Sequence, residues 1–255
     1  LSAVTPKTFL GKCRAVPRQI MFSTTYKNLP YINSFVLLSK HMAPELKLTD
    51  ERFCVVECMC DPALSRNIEK NDYLEKREKG NIYFAYSGLL DKQYGLKELV
   101  EAFISVEDPR LRLWICGDGN GREYVQEAVK IDPRIEYFGC LKHSEVMEFQ
   151  RAADILINPR SAEGKFTKYS FPSKTIEYML AGKPVIAYKL PGIPDEYDDY
   201  LLYIECKENG LADCIKKYGN TDIKELEIIG KKNQLFAEQN KNYIVQTAKI
   251  LKMME

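Results

Sequence analysis

From residue 81 onward, short apolar runs alternate with stretches whose apolar positions recur at helical spacing. Asn81 to Tyr86 reads as a strand ending at Ser87-Gly88. Leu96 to Val106 places Leu96, Leu99, Val100 and Phe103 on one helical face. Leu111 to Cys116 is a second strand, stopped by Gly117-Asp118-Gly119, and Arg122 to Ile131 a second helix. Arg134 to Phe138 is a strand closed by Gly139, and Ser144 caps a helix running to about Ala152. Asp154 to Ile157 is apolar strand, ending at Asn158-Pro159-Arg160. Pro172 to Ala181 reads as a helix, with Pro in its first turn and Gly182 just past its end. Strands at Lys183 to Tyr188 and Leu201 to Ile204 follow, then two or three helices. Strands apolar on both faces and separated by helices predict a parallel sheet covered on both sides, a doubly wound, Rossmann-like α/β domain. Ligands in that architecture bind beyond the carboxyl ends of the strands, where the strand order reverses.

Residues 1–60 carry no comparable unit. Ser34 to Met42 reads as a helix or buried strand and Cys54 to Met59 as a strand, while the charged stretch 61–80 reads as a linker with a short helix. No internal repeat or low-complexity tract is evident.

Composition narrows the functional classes. At 255 residues the chain allows one to two domains. Its 37 Lys+Arg against 36 Asp+Glu give no basic excess for nucleic acid. No apolar run reaches the ~18 residues of a membrane span, and Leu1 to Leu10 lack the basic-then-apolar start of a secretory signal. A cytoplasmic setting is therefore expected. The chain starts with Leu rather than Met, which suggests a fragment or a missing true start. The eight cysteines (13, 54, 58, 60, 116, 140, 206, 214) are expected to be reduced. Cys54, Cys58 and Cys60 would share one strand face, yet with only His41 and His143 in the chain and no second Cys pair they read as buried thiols, and no metal is expected.

Gly117-Asp118-Gly119-Asn120-Gly121-Arg122 falls short of a dinucleotide fingerprint. Arg122 stands where Gly is needed, and the turn follows the second strand, not the first. It is either a tight strand-to-helix turn or a turn that also lets backbone approach a ligand. The stretch Tyr169 to Ile186 is more informative. A helix starting here would turn its first amides and its positive dipole end outward, suited to an anion. Ser173 adds a hydroxyl, Lys174 a charge, and Glu177 a carboxylate one turn further on that could accept two sugar hydroxyls. Alternatively, Glu177 pairs with Lys174 at i−3 on a solvated helix.

Several ordered motifs carry a family resemblance: Ser87-Gly88-Leu89-Leu90-Asp91 with Gly95-Leu96; Leu113-Trp114-Ile115-Cys116-Gly117-Asp118-Gly119; Phe138-Gly139 with Ala153-Asp154-Ile155; and Glu177-Tyr178-Met179-Leu180-Ala181-Gly182-Lys183-Pro184-Val185. From about Ile82 to Val185, and more loosely to the end, the chain resembles the retaining glycosyltransferases of the "group 1" (family 4) type with the two-Rossmann-domain GT-B fold. The version Ser170-Phe171-Pro172-Ser173-Lys174 followed by Glu177-Tyr178-Met179 is similar to members in surface-polysaccharide assembly. The resemblance implies that Glu177 binds the donor ribose, that Ser87 and Gly88 lie in the loop near the donor phosphates, and that Gly117 belongs to the second-strand turn. It implies that Ser173 and Lys174 face the diphosphate, and that Gly139, Cys140 and Leu141 meet the base. Such enzymes move a sugar from a nucleotide-diphosphate donor with retained configuration, without metal, cofactor or covalent enzyme intermediate. Positive groups and oriented amides help the diphosphate leave.

The chain also departs from the pattern. The first Glu of the E-x7-E motif falls at Tyr169, and the basic residues of the first loop fall at Leu89 and Tyr94. Lys92, Arg160 and Lys174 are the candidate catalytic replacements, Arg being suited to bidentate phosphate contacts, although Lys92 reads equally as a solvated loop charge. At the front, Ser34 to Met42 and Val55 to Pro62 resemble only the end of an acceptor-side domain. The expected division is 1–60 as a remnant of that domain, 61–80 as linker, 81–235 as the nucleotide-sugar-binding domain, and 236–255 as a helix crossing back to the remnant. The expected function is transfer of a hexose-type sugar to a glycan or lipid-linked acceptor, with room for peripheral association at the inner membrane face. The alternative is a donor-binding half, inactive alone, that needs a missing or separate acceptor-domain chain. An NAD-binding Rossmann protein is disfavoured by the failed fingerprint.

Overall fold

The structure is a computed structural model describing residues 23–65, 72–162 and 164–255, apart from the side chains of Leu64, Ser65, Lys92 and Lys165. Cys13 therefore lies outside the described residues. In chain order the regular elements are β1 (Phe35–Leu37), α1 (Met42–Glu45), β2 (Phe53–Val55), β3 (Ile82–Ser87), α2 (Leu96–Ser105), β4 (Leu111–Cys116), α3 (Arg122–Ile131), β5 (Ile135–Tyr137), α4 (His143–Ala152), β6 (Ile155–Asn158), α5 (Lys174–Leu180), β7 (Val185–Ala187), β8 (Leu202–Tyr203), α6 (Gly210–Gly219), α7 (Ile223–Asn240) and α8 (Tyr243–Met254).

β3 to β8 form one six-stranded sheet in the order β5-β4-β3-β6-β7-β8, with every pair parallel. The order reverses between β3 and β6, so a crevice opens beyond Ser87 and Asn158. Alternate residues feed opposite cores: Tyr83, Ala85, Trp114 and Leu156 join Phe149 and Tyr178 on one face, and Phe84, Leu113, Ile115 and Ile155 join Leu99, Val100 and Phe103 on the other. Because both faces are covered, the central strands β3, β6 and β7 read as nearly continuous apolar runs.

The structure refines several boundaries. α4 starts at His143 with Lys142 as its N-cap, not Ser144; the Lys142 amide donates to Glu145 Oε2 at 2.8 Å, so Glu145 closes this end. α5 begins at Lys174, with Pro172 and Ser173 preceding it. Segment 61–80 contributes to the core. Tyr73 is buried against Trp114, Phe138 and Phe149 in edge-on contacts, and Arg77 forks onto Asp154 at 2.8 and 2.6 Å. The charged composition of 61–80 predicts a linker with a short helix, yet Tyr73 packs on the core there, Arg77 pairs with Asp154 and Glu78 with Arg112.

The end of the chain is two helices rather than one spanning 236–255. α7 stops at Asn240, and Asn242 caps α8 by accepting from the Val245 amide at 2.9 Å. The break is fixed by the front segment, since the Cys60 amide donates to Lys241 O at 2.9 Å and the Tyr243 amide to Cys60 O at 3.0 Å. β1 and β2 pair parallel as a separate two-stranded sheet, and α8 packs on β2. β2 is shorter than the apolar stretch 54–59 suggested, because β1 offers only three residues to pair. Among the described residues no cluster of His, Cys, Asp and Glu could hold a metal ion. Burial pushes the Cys60 and Cys116 thiols up to about 12 and Cys58 up to about 11. No described helix is long and apolar enough to cross a membrane.

Candidate functional site

The crevice at the strand-order reversal holds a cleft of about 250 Å³ lined by Tyr86, Gly88, Leu89, Tyr94, Asn158, Arg160, Phe171, Pro172, Ser173, Lys174 and Tyr178. A larger hollow of about 630 Å³ lies at the amino ends of β4 and β5, and there Arg134 and Arg112 are already engaged, with Asp132 and with Glu78 and nearby carbonyls respectively. The cleft differs in charge: among the described residues, two cations and no carboxylate line it.

The floor of the cleft is built by Tyr178. Its fully buried phenol accepts from the Ser87 amide at 2.9 Å and donates to Ser87 O at 3.0 Å, which ties the end of β3 to α5. Burial drives its pKa well above the ordinary value, so the phenol stays protonated and able to donate. Just beyond, the Gly88 amide donates to Cys116 O at 3.0 Å and the Gly117 amide to Gly139 O at 2.8 Å, so three successive loops are stitched at the carboxyl edge. Gly117 sits at φ +138°, and a Cβ there would fall 1.8 Å from Gly88 O. The first two glycine loops touch backbone to backbone, so close packing between loops already requires Gly117.

Arg160 follows β6 and enters the cleft. Its guanidinium lies over the rings of Phe166 at 4.9 Å and Tyr94 at 5.7 Å, and Nη2 donates to Ser170 Oγ at 3.1 Å. Its buried Nε has no hydrogen-bond partner among the described residues. Burial lowers its pKa, although a guanidinium remains charged. Lys174 stands opposite at the start of α5. Its ammonium pairs with both oxygens of Glu177, at 2.8 and 3.0 Å, so the i−3 pairing that competes with a binding role is present.

Of the residues singled out in the sequence, Gly88, Arg160, Ser173 and Lys174 line the cleft. Ser87 lies beneath it, buried. Glu177 lies one turn along α5, outside the lining. Gly117, Gly139, Cys140 and Leu141 occupy the neighbouring loops. Cys140 is exposed and Leu141 packs on the core. Lys92 belongs to the short 3-10 turn Lys92–Tyr94, and its side chain lies outside the described positions. Sequence reasoning missed Tyr178, Tyr94 and Gln150. On one strand of text Tyr178 is only another apolar position of α5, and its pairing with a residue 91 positions away has no local signature.

Parallel strands and a crevice at the switch point define a doubly wound α/β domain with a cationic cleft at its carboxyl edge. Residues 81–220 match the family model for "Glycosyl transferases group 1", and the chain belongs to that family. It is 28% identical over 134 residues to a Bacillus subtilis protein named as a teichuronic acid biosynthesis glycosyltransferase, TuaH, covering 52% of this chain and 32% of the relative. It is 25% identical over 116 residues to the phosphatidylinositol N-acetylglucosaminyltransferase gpi3 subunit of Schizosaccharomyces pombe, covering 44% of this chain and 24% of that protein. Among solved structures, sucrose-phosphate synthase of Thermosynechococcus elongatus superposes with a TM-score of 0.71 at 17% identity, over 91% of this chain and 61% of that one. HepE of Anabaena, solved in complex with UDP, gives 0.70 at 18% identity over 87% and 63%. The fold is thus that of part of a GT-B glycosyltransferase, and the chain spans less than two thirds of each protein compared.

Proposed function

We propose that the chain binds a nucleoside-diphosphate sugar in the cleft at the switch point and serves transfer of that sugar, with retention, to a glycan or lipid-linked acceptor on the cytoplasmic side. The observation that carries this reading is the pair Arg160 and Lys174 facing a cleft with no carboxylate among its described lining residues, with Glu177 one helical turn away. The diphosphate would take the fork of Arg160, whose Nε has no partner among the described residues, and the ammonium of Lys174. As the phosphate draws Lys174 off, Glu177 is released to accept the two ribose hydroxyls. One arrival thereby satisfies both members of the resting pair. In the transfer step the same cations stabilise the charge that develops on the departing diphosphate. HepE, which shares the fold and was solved in complex with UDP, supports a nucleotide ligand.

Glu177→Ala should weaken nucleoside-diphosphate binding by about 1–3 kcal/mol, the cost of losing charged hydrogen bonds. Binding of inorganic pyrophosphate, which has no ribose, should hold or strengthen, because Lys174 is freed. Calorimetric titration of both ligands reads this directly, and unchanged nucleotide affinity would mean the ribose lies elsewhere. A second reading is favoured by coverage of only 61% of the sucrose-phosphate synthase chain. On it, these residues bind donor, and transfer needs further acceptor-side sequence. Transfer by this chain alone would refute that reading.

A further inference from the structure

Gln150 on α4 is fully buried and does not line the cleft. Its Nε2 donates to Ser87 Oγ at 2.8 Å and to Glu177 Oε1 at 2.5 Å. A carboxylate can only accept, so the amide end that faces Glu177 must be the NH₂ group, and the orientation of the side chain is fixed by chemistry. Both amide hydrogens are then committed, one to the end of β3 and one to α5. Tyr178 already clamps those two elements together through both peptide groups of Ser87. Oε1 of Gln150 meets no donor among the described residues, so nothing pulls the amide the other way.

We propose that Gln150 is a positioning residue that holds Glu177 in its hydroxyl-receiving rotamer; this rests on the ribose reading of Glu177. Two groups anchor that carboxylate, Lys174 and Gln150. They respond differently to a nucleotide. Lys174 is charged, borders the cleft and follows the diphosphate. Gln150 is neutral, buried and tied at its other end to Ser87, so it stays. A carboxylate offers about four lone-pair sites. Gln150 occupies one on Oε1, which leaves enough for a pair of vicinal hydroxyls once Lys174 departs. Without Gln150 the carboxylate would lose its last anchor at the moment it is needed, and the fixed geometry that favours a diol would have to be ordered by the ligand itself.

The test is a cycle between protein and ligand. Wild type, Gln150→Met and Gln150→Leu are titrated with UDP and GDP, with their 2′,3′-dideoxy analogues, and with pyrophosphate, after a thermal melt of each variant. Wild type should prefer the nucleotide with its diol by about tenfold or more, the worth of charge-assisted hydrogen bonds. In the variants that preference should shrink towards unity, while pyrophosphate affinity is unchanged. A merely structural role would weaken all ligands together. A folded variant that keeps the full diol preference overturns the proposal, as does failure of both variants to fold, which would assign Gln150 to the core. Absence of a diol preference in wild type would instead overturn the ribose reading itself, so the two failures are distinguishable.

Discussion

Lys241→Ala should lower the free energy of unfolding by about 3–5 kcal/mol, the usual loss when one partner of a buried ion pair is removed. The Lys241 side chain is 0% exposed, and its ammonium meets Glu57 Oε1 and Glu196 Oε1, each at 2.5 Å. Glu57 is itself buried, and its other partner is the Tyr197 hydroxyl at 2.8 Å. The ammonium also lies over the Tyr197 ring at 4.9 Å and the Phe236 ring at 5.5 Å. Alanine would leave the Glu57 carboxylate in an apolar surround with one hydroxyl donor, while Glu196, nearly half exposed, can turn to water. The pair joins the front segment to the break between α7 and α8, so the loss should fall on the seam between β1–β2 and the main sheet. Urea titration reads the stability, and the double variant Lys241→Met/Glu57→Gln should recover a large part of it. A cost under about 1 kcal/mol would mean the carboxylate is better solvated than its position indicates.

Gly117→Ala is the second large effect, expected to cost at least about 3 kcal/mol from backbone strain plus displacement of a neighbour. The obstruction is the Gly88 carbonyl, 1.8 Å from the added Cβ, and no side chain can rotate away to relieve it. The first glycine loop would have to move, so nucleotide binding should fall along with stability. Gly139→Ala is the internal control. It also has positive φ, at +69°, yet nothing lies within 4 Å of its Cβ position. Its cost should be the left-handed penalty alone, about 1–2 kcal/mol. Equal costs for the two, measured by thermal or urea unfolding, would remove the loop-on-loop contact as the reason for Gly117.

These two sites show what the sequence exposes and what it conceals. The main sheet was legible because its central strands are short, apolar on both sides and punctuated by Gly, Pro or Asn, and Leu111 to Cys116 and Arg122 to Ile131 match the observed elements end to end. That Gly88, Arg160, Ser173 and Lys174 line the crevice was legible, because the parallel-sheet rule places it beyond the strand ends and the start of the following helix before side chains are known. Long-range partnerships were not legible. Lys241 and Glu57 are 184 positions apart, and each alone reads as an ordinary surface charge. Tyr73 sits in a charged stretch whose composition suggests a linker, and only the aromatic cage of Trp114, Phe138 and Phe149 draws it inside. Gln150 is a polar residue on an amphipathic helix until Ser87 and Glu177 converge on it.

We infer that the cationic cleft at the switch point takes a nucleoside diphosphate and not a dinucleotide cofactor. Calorimetric titration of the chain with UDP, GDP and NAD tests it most directly. Saturable binding of UDP or GDP, with none of NAD, is the result expected from Arg160, Lys174 and the broken glycine fingerprint at Arg122. Binding of NAD without either nucleoside diphosphate would contradict it.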